Sequence, residues 1–228
     1  MAALTKTMNP RFSADTAGFL RELELNNNRP WFETSKKRFE TSVMEPMEAL
    51  AGVMIERMKE LEPSISMLPR EALSKIHRDI RLTKDKSLYW TTVEMSIYPP
   101  SRPSVRAPGL GFRVGPSDVR ITSGYRVLES DKVRVIRNFL SVHLEEFEVE
   151  LNRPDFKKYF GTMRGDRSKM LAPELTSAAN RQPLLFNNQF CYWAEHDPKT
   201  AQREDLPDFL MEHMRAAQPM NKFLSRAF

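Results

Sequence analysis

The sequence has few of the features that mark extracellular or membrane proteins. Its single cysteine among 228 residues is Cys191, so no disulfide can form within the chain. No segment approaches the roughly 18 consecutive apolar residues of a transmembrane helix. Residues 1–9 have no apolar core of the kind found in a signal peptide. These absences predict a cytoplasmic protein that does not contact a membrane.

Signatures of several common enzyme classes are also missing. The chain has no phosphate-binding loop and no G-x-S-x-G nucleophile motif. Gly109, Gly111 and Gly115 do not have the spacing of a dinucleotide-binding motif, and a strand is predicted after them. Cys191 is expected to be an inert thiol in the core. The histidines are scattered without metal-ligand spacing: His77, His143, His196 and His213. We therefore expect neither a metal nor a cofactor.

The composition is typical of a globular protein with a slight excess of positive charge. Hydrophobic residues make up 40% and charged residues 29% of the chain, and 35 basic residues stand against 30 acidic ones. A chain of this length buries roughly 70–75% of its unfolded surface, which is enough for a large core. Because no internal repeat or linker interrupts the pattern, one domain is expected over residues 1–228.

Apolar spacing predicts helices at both ends of the chain. The first covers residues 12–23, and a long amphipathic segment follows over residues 32–61, in which Pro46 should produce a kink or start a second helix. A further helix begins near Ser130. The last helix begins near Pro207, and Pro219 is expected to interrupt it.

The middle of the chain shows the two-residue period of strands. Strands are predicted over residues 75–82, 89–98, 110–114 and 118–127, with another around residues 189–193. Strands that follow one another in this way, with helices before and after, are typical of an α+β fold. We expect a mostly antiparallel sheet packed against the N-terminal and C-terminal helices.

The densest run of charge lies between Lys75 and Tyr89. If residues 76–82 form a strand, Arg78 shares a face with Ile76 and Ile80 and interrupts an apolar surface. A guanidinium in that position needs a carboxylate, a set of carbonyls or an anionic ligand, because an unpaired buried charge costs several kcal/mol. This segment is therefore the candidate functional site.

The charged run contains groups suited to binding a phosphate or carboxylate. In this hypothesis two arginines clamp the anion, two lysines complete the positive charge, a tyrosine closes the pocket, and an aspartate orients the cations or transfers a proton. The residues in these roles are Arg78 and Arg81, Lys84 and Lys86, Tyr89, and Asp79 or Asp85. Whether catalysis follows is open. The competing interpretation is a solvated hairpin with surface ion pairs, each contributing about 0–1 kcal/mol.

Two motifs in this sequence resemble a known family. Residues 78–86 with Tyr89, and residues 26–32, are similar to the signatures of the family catalogued as domain of unknown function 2461. Segments 156–161 and 219–224 also resemble it, so the similarity extends over most of the chain. The resemblance implies no particular reaction, but it favours a functional role for residues 78–86. The sequence departs from the family pattern at His77, Ile80 and Trp90, and only Ser123 and Gly124 stand where a glycine-rich turn is expected.

Two further hypotheses come from other functional classes. The first is a nucleic-acid-binding module that combines the charged run with Arg102, Arg106, Arg164 and Arg167. The second is a non-enzymatic interaction domain in which the charged run is an internal salt-bridge network. Arg29 is a further candidate ligand contact, since Trp31 and Phe32 beside it could stack on a base or sugar. That aromatic pair is more often a packing feature at the start of a helix.

Overall fold

The computed structural model describes residues 10, 12–100 and 107–228. The candidate residues Arg102 and Arg106, and the N-terminal residues 1–9, lie outside the described residues. The helices are α1 (Ala14–Leu25), α2 (Arg29–Phe39), α3 (Glu45–Met58), α4 (Ser130–Val142), α5 (Leu144–Asn152), α6 (Pro154–Phe160), α7 (Thr176–Arg181) and α8 (Leu206–Ser225). The strands are β1 (Val93–Ile97), β2 (Leu110–Val114), β3 (Val119–Tyr125) and β4 (Phe190–His196).

The described strands form one antiparallel sheet in the order β1-β2-β3-β4. The first three are neighbours in sequence, and β4 joins β3 after the helical segment that contains α4 to α7. The architecture is α+β with an antiparallel sheet, as the sequence predicts.

Helices cover one face of this sheet. Val93, Met95 and Ile97 of β1 are buried on that face, which follows from their alternation with the polar residues of the same strand. Helix α3 contacts β1, α8 contacts β3 and α6 contacts β4. The predicted packing of N-terminal and C-terminal helices on the sheet is therefore confirmed. The opposite face carries polar and charged residues of the strands, among them Glu94, Arg113 and Arg120, which are partly exposed.

The N-terminal helices begin and change direction where the sequence provides local signals. The Asn28 side chain accepts a hydrogen bond from the backbone N–H of Trp31, which caps α2. A π-helical turn, Glu40–Met44, then joins α2 to α3, and Pro46 lies in the first turn of α3. A proline is tolerated there because the first N–H groups of a helix have no partner within the helix. The predicted second helix at Pro46 is confirmed.

Two expectations about secondary structure are wrong. Residues 75–82 form no strand and take part only in a single bridge between His77 and Tyr89. The backbone hydrogen bonds at this bridge run from Arg78 N–H to the Leu88 carbonyl and from Trp90 N–H to the Ile76 carbonyl, and no further ladder bonds follow them in residues 75–82. Helix α8 also continues through Pro219. The residues on both sides of this proline, including Ala217 and Met220, are buried against the rest of the core, and this packing outweighs the lost backbone hydrogen bond.

Asn221 connects α8 to the sheet. Its side-chain N–H donates to Ser123 Oγ at 2.9 Å, and the Tyr192 hydroxyl donates to Asn221 Oδ1 at 2.5 Å. Ser123 lies on β3 and Tyr192 on β4. The segment 219–224, which resembles a family motif, therefore places a polar anchor between the last helix and two strands.

Among the residues that the structure describes, no helix combines the length and apolar character needed to cross a membrane.

Candidate functional site

The charged segment, which we call the Arg78 loop (residues 78–89), is held together by its own side chains. Arg78 donates to Asp85 Oδ2 at 2.5 Å and to the Ser87 carbonyl at 3.2 Å. Its guanidinium carbon also lies 4.7 Å from the centre of the Trp90 ring. The carboxylate and carbonyl that this guanidinium requires are thus supplied from within the loop.

The other cations of the loop point to separate partners. Arg81 forms two hydrogen bonds to Asp79, at 2.9 and 2.6 Å, on the exposed surface. Lys86 donates to the Ile80 carbonyl at 3.0 Å, and Lys84 is exposed. Of the four cations named from the sequence, three are therefore each held by a different partner within the loop. Their role in binding a ligand stays a prediction.

The two candidate proton-transfer residues are stabilised as carboxylates. Hydrogen bonds from Ser87, then from Arg78, lower the pKa of Asp85 to about 2. The Arg81 side chain holds the pKa of Asp79 below its usual value. A carboxylate with so low a pKa is a weak proton acceptor near neutral pH, so this geometry favours a role in orienting cations.

Tyr89 connects the Arg78 loop to the turn between α1 and α2. The Asn27 side chain donates to the Tyr89 carbonyl and accepts from its backbone N–H, both at 2.9 Å. The Tyr89 ring stacks on Phe32 with 4.1 Å between ring centres. Tyr89 is buried rather than open to a pocket. We call these interactions the motif contact, because they join the two segments that carry the family resemblance.

Arg29 lies at the start of α2 and its side chain is exposed. Its Nε atom is 3.9 Å from Glu33 Oε1. The neighbouring aromatic residues pack into the protein: Phe32 is buried, and Trp31 lies 5.5 Å from Phe19 between ring centres. The packing interpretation of this aromatic pair therefore fits the geometry.

A different group of charged residues meets on the open face of the sheet. There a cavity of about 520 Å³ lies over β2, β3 and β4, and we call it the sheet cleft. Its walls combine four arginines, two carboxylates, a threonine and one large aromatic ring: Arg113, Arg120, Arg126 and Arg164, Glu94 and Asp166, Thr122, and Trp193. The strand register explains the arrangement, since Arg113 pairs with Arg120 and Thr122 pairs with Trp193 across the sheet.

Arg164 enters the sheet cleft from the segment after α6. Its backbone forms an antiparallel bridge to Cys191, which extends the sheet beyond β4. The following residues are held by Arg137, which donates to Ser168 Oγ at 2.9 Å and to the Asn187 carbonyl at 3.0 Å. The segment that carries Arg164 is thus fixed by contacts to the rest of the fold.

Three of the cleft arginines are oriented by carboxylates. Arg113 pairs with Asp118, Arg120 pairs with Glu195, and Arg126 pairs with Glu94 at 2.5 Å. These pairs neutralise much of the positive charge, and they also fix the directions of the guanidinium groups.

Arg164 differs from these three. Its guanidinium carbon lies 4.5 Å from the centre of the Trp193 ring, and Arg120 lies 5.1 Å from the same ring. Within the described residues the Arg164 guanidinium forms no ion pair at contact distance, although, against the effect of burial, Arg120 and more weakly Arg164 lower the pKa of Glu195. The Nε atoms of Arg113 and Arg120 are buried and make no hydrogen bond there either. The cleft therefore has donors to offer a negatively charged group.

Cys191 lies at the base of the sheet cleft. Burial raises the pKa of its thiol, against the opposing effect of Arg126. A protonated thiol is a poor nucleophile, which agrees with the inert role expected from the sequence.

The remaining arginine of the nucleic-acid hypothesis lies away from the cleft. Arg167 donates to the Pro183 carbonyl at 3.1 Å and lies over the Phe186 ring at 5.4 Å. For metal binding, the described residues contain no cluster of three or more histidine, cysteine or acidic side chains.

The comparisons with known proteins identify a family and no curated relative. The family model described as "Conserved hypothetical protein (DUF2461)" matches residues 15–223. The search of curated proteins found no match.

Proposed function

The chain belongs to the DUF2461 family, and we propose that it binds the phosphate or carboxylate group of a small molecule in the sheet cleft. The ligand class is the one expected from the sequence, but the geometry favours the cleft over the Arg78 loop. The observation that carries the proposal is the Arg164 guanidinium, which lies over Trp193 and forms no ion pair at contact distance among the described residues.

An anion should bind more strongly in the cleft than on the open protein surface. Hydrogen bonds between a guanidinium and a phosphate or carboxylate are charge-assisted and are about twice as strong as neutral ones. Arg113 and Arg120 are already held by their own carboxylates, so little conformational entropy is lost when a ligand binds.

The Arg78 loop remains a second candidate for the same ligand class. Arg81 and Lys84 are exposed and could add contacts to an anion. The internal pairing of Arg78 with Asp85 instead favours the hypothesis of a structural salt-bridge network.

The test is calorimetric titration with inorganic phosphate and with succinate at low salt. Replacing Arg164 with glutamine (R164Q) should weaken binding about 10- to 100-fold, because a hydrogen bond to a charged group contributes about 1.5–3 kcal/mol. The matched control is R167Q, which removes the same charge from the same segment outside the cleft. It should leave the affinity within about twofold of the original protein.

Two results would contradict the proposal. One is the absence of binding by the unchanged protein to both probes at millimolar concentration. The other is an equal loss in R164Q and R167Q. If both variants also weaken binding of a single-stranded oligonucleotide, with a steep dependence on salt, the nucleic-acid hypothesis would replace the small-molecule one.

A further inference from the structure

A second cavity adjoins the sheet cleft on the same face of the sheet. Its volume is about 350 Å³, and Thr122 and Arg126 contribute to the walls of both cavities. A ligand whose charged group meets Arg164 could therefore extend past Thr122 into this second space. We call it the side cavity.

The base of the side cavity is formed largely by backbone, because glycines occupy the open face there. Gly111 pairs with Thr122, and Gly124 pairs with Cys191. Gly124 has a positive φ of 85°, and a Cβ at this position would lie 2.4 Å from the Phe190 carbonyl oxygen. A side chain is therefore excluded at Gly124.

Gly111 has no such backbone restriction. A Cβ there would lie 3.3 Å from Glu94 Oε1, the end of a flexible side chain, and 3.5 Å from Thr122 Cβ. A larger residue could thus be accommodated by a small movement of Glu94. It would fill space at the base of the side cavity, so Gly111 is a suitable position for a test.

The walls of the side cavity are less charged than those of the sheet cleft. Tyr98, Ala107 and Val127 contribute to them. Val127 is 84% exposed although it is a branched apolar residue. Covering such a side chain with an apolar group removes both surfaces from water, which is favourable.

We propose that the ligand is an organic anion whose uncharged, largely apolar body occupies the side cavity while its phosphate or carboxylate binds at Arg164. This inference rests on the proposed function and specifies the ligand class of the same site. The neighbouring position of the two cavities, which share Thr122 and Arg126 as lining residues, is the observation that carries it.

The experiment compares inorganic phosphate with methyl, butyl and hexyl phosphate, and acetate with butyrate and hexanoate, by calorimetric titration. If the side cavity takes the body of the ligand, affinity should rise roughly two- to fourfold for each methylene that enters it. The series with the higher affinity identifies the charged group as phosphate or carboxylate.

Two variants locate the gain in the side cavity. Gly111→Val should remove most of the increase with chain length. Because it also moves Glu94, the partner of Arg126, the readout is the affinity for hexyl phosphate relative to inorganic phosphate on the same variant. Val127 is exposed, so Val127→Ser should fold normally. This variant should reduce the gain in affinity of hexyl phosphate over inorganic phosphate by about two- to fourfold. Its matched control is Val149→Ser, an exposed valine on α5, which should have no effect.

The outcomes separate this inference from the proposed function. If inorganic phosphate or acetate binds but affinity does not change with chain length, the inference is overturned and the anion site remains. An increase with chain length that survives both Gly111→Val and Val127→Ser would also overturn it. If none of the probes binds, the proposed function itself fails.

Discussion

At the scale of single residues, Arg78 has contacts that suit a structural role. Its side chain is 11% exposed, and it combines an ion pair, a carbonyl contact and an aromatic ring. Replacing Arg78 with methionine keeps much of the side-chain volume but removes these polar interactions. We expect the free energy of unfolding to fall by about 1–2 kcal/mol, since the Ser87 hydrogen bond and the Trp90 contact are both lost. Urea denaturation measures the change.

Arg81→Met is the control for this prediction. Arg81 is 84% exposed and pairs with Asp79 on the surface, where ion pairs contribute little. Its unfolding transition should therefore move much less than that of the Arg78 variant. A contrary result would be an Arg78→Met protein with unchanged stability and lost phosphate binding, which would assign the loop to the ligand.

The residue-level predictions succeed where partners are close in sequence. The need of Arg78 for a negative partner follows from local pattern, and Asp85 meets it seven residues later. The sheet cleft could not be derived in this way. Arg113 and Arg120 meet only through strand register, and Arg164 reaches them through a bridge to Cys191, 27 residues further along the chain. The basic segment that contains Arg164 was visible in the sequence, but its position beside β4 was not.

At the scale of elements, the motif contact joins the α1–α2 turn to the Arg78 loop. Asn27 binds both backbone polar groups of Tyr89, much as a neighbouring strand would. Replacing Asn27 with alanine leaves a partly buried N–H and carbonyl without partners. This should lower the free energy of unfolding by about 1–3 kcal/mol. The loop should also become more open to amide hydrogen exchange, which mass spectrometry can locate.

The neighbouring residue Asn26 gives a matched control. Its side chain donates to the Glu22 carbonyl within the exposed end of α1, so Asn26→Ala should increase exchange only at that helix end. Equal exchange in the Arg78 loop of the Asn27 and Asn26 variants would show that the motif contact does not order the loop.

Element boundaries were predictable where pattern and packing agree. The predicted strand 110–114 matches β2, because its side chains alternate and both neighbouring strands pair with it. Residues 75–82 also alternate, but their backbone pairs with residues 88–90 at a single bridge and no ladder follows. Pro219 shows the reverse case, since tertiary packing keeps α8 helical through a residue that disfavours helix.

At the scale of the whole molecule, the sheet separates an open polar face from a face covered by helices. His213 lies deep on the covered side and joins elements that are distant in sequence. It contacts Tyr159 and Phe160 of α6, and His196 at the end of β4. Its Nδ1 lies 2.8 Å from the Phe209 carbonyl. Because a carbonyl only accepts, Nδ1 carries the proton, and the Nε2 of neutral His213 accepts from His196 at 3.2 Å.

This arrangement predicts that acid weakens the packing of α8. Burial, opposed by the Phe209 carbonyl and reinforced by His196, lowers the pKa of His213 from 6.5 to about 4. Burial, and to a smaller extent the positive charge of Arg203, also lower the pKa of His196. Between pH 6.5 and about 4 the unfolded chain binds protons that the folded protein does not. Stability is therefore complete above pH 6.5 and falls as the pH decreases, by up to about 1.4 kcal/mol per pH unit for each proton.

Chemical denaturation at a series of pH values tests this linkage. His213→Gln should lower stability at pH 7, because the buried contacts change, but its stability should fall less steeply between pH 6.5 and 4. The control, His77→Gln, changes an exposed histidine that makes no contact with His213 or His196 among the ring contacts described, and it should keep the slope of the original protein. If His213→Gln loses stability with acid as steeply as the original protein, the proton uptake belongs to other groups. Acid sensitivity would then give no information on how α8 is held against the sheet.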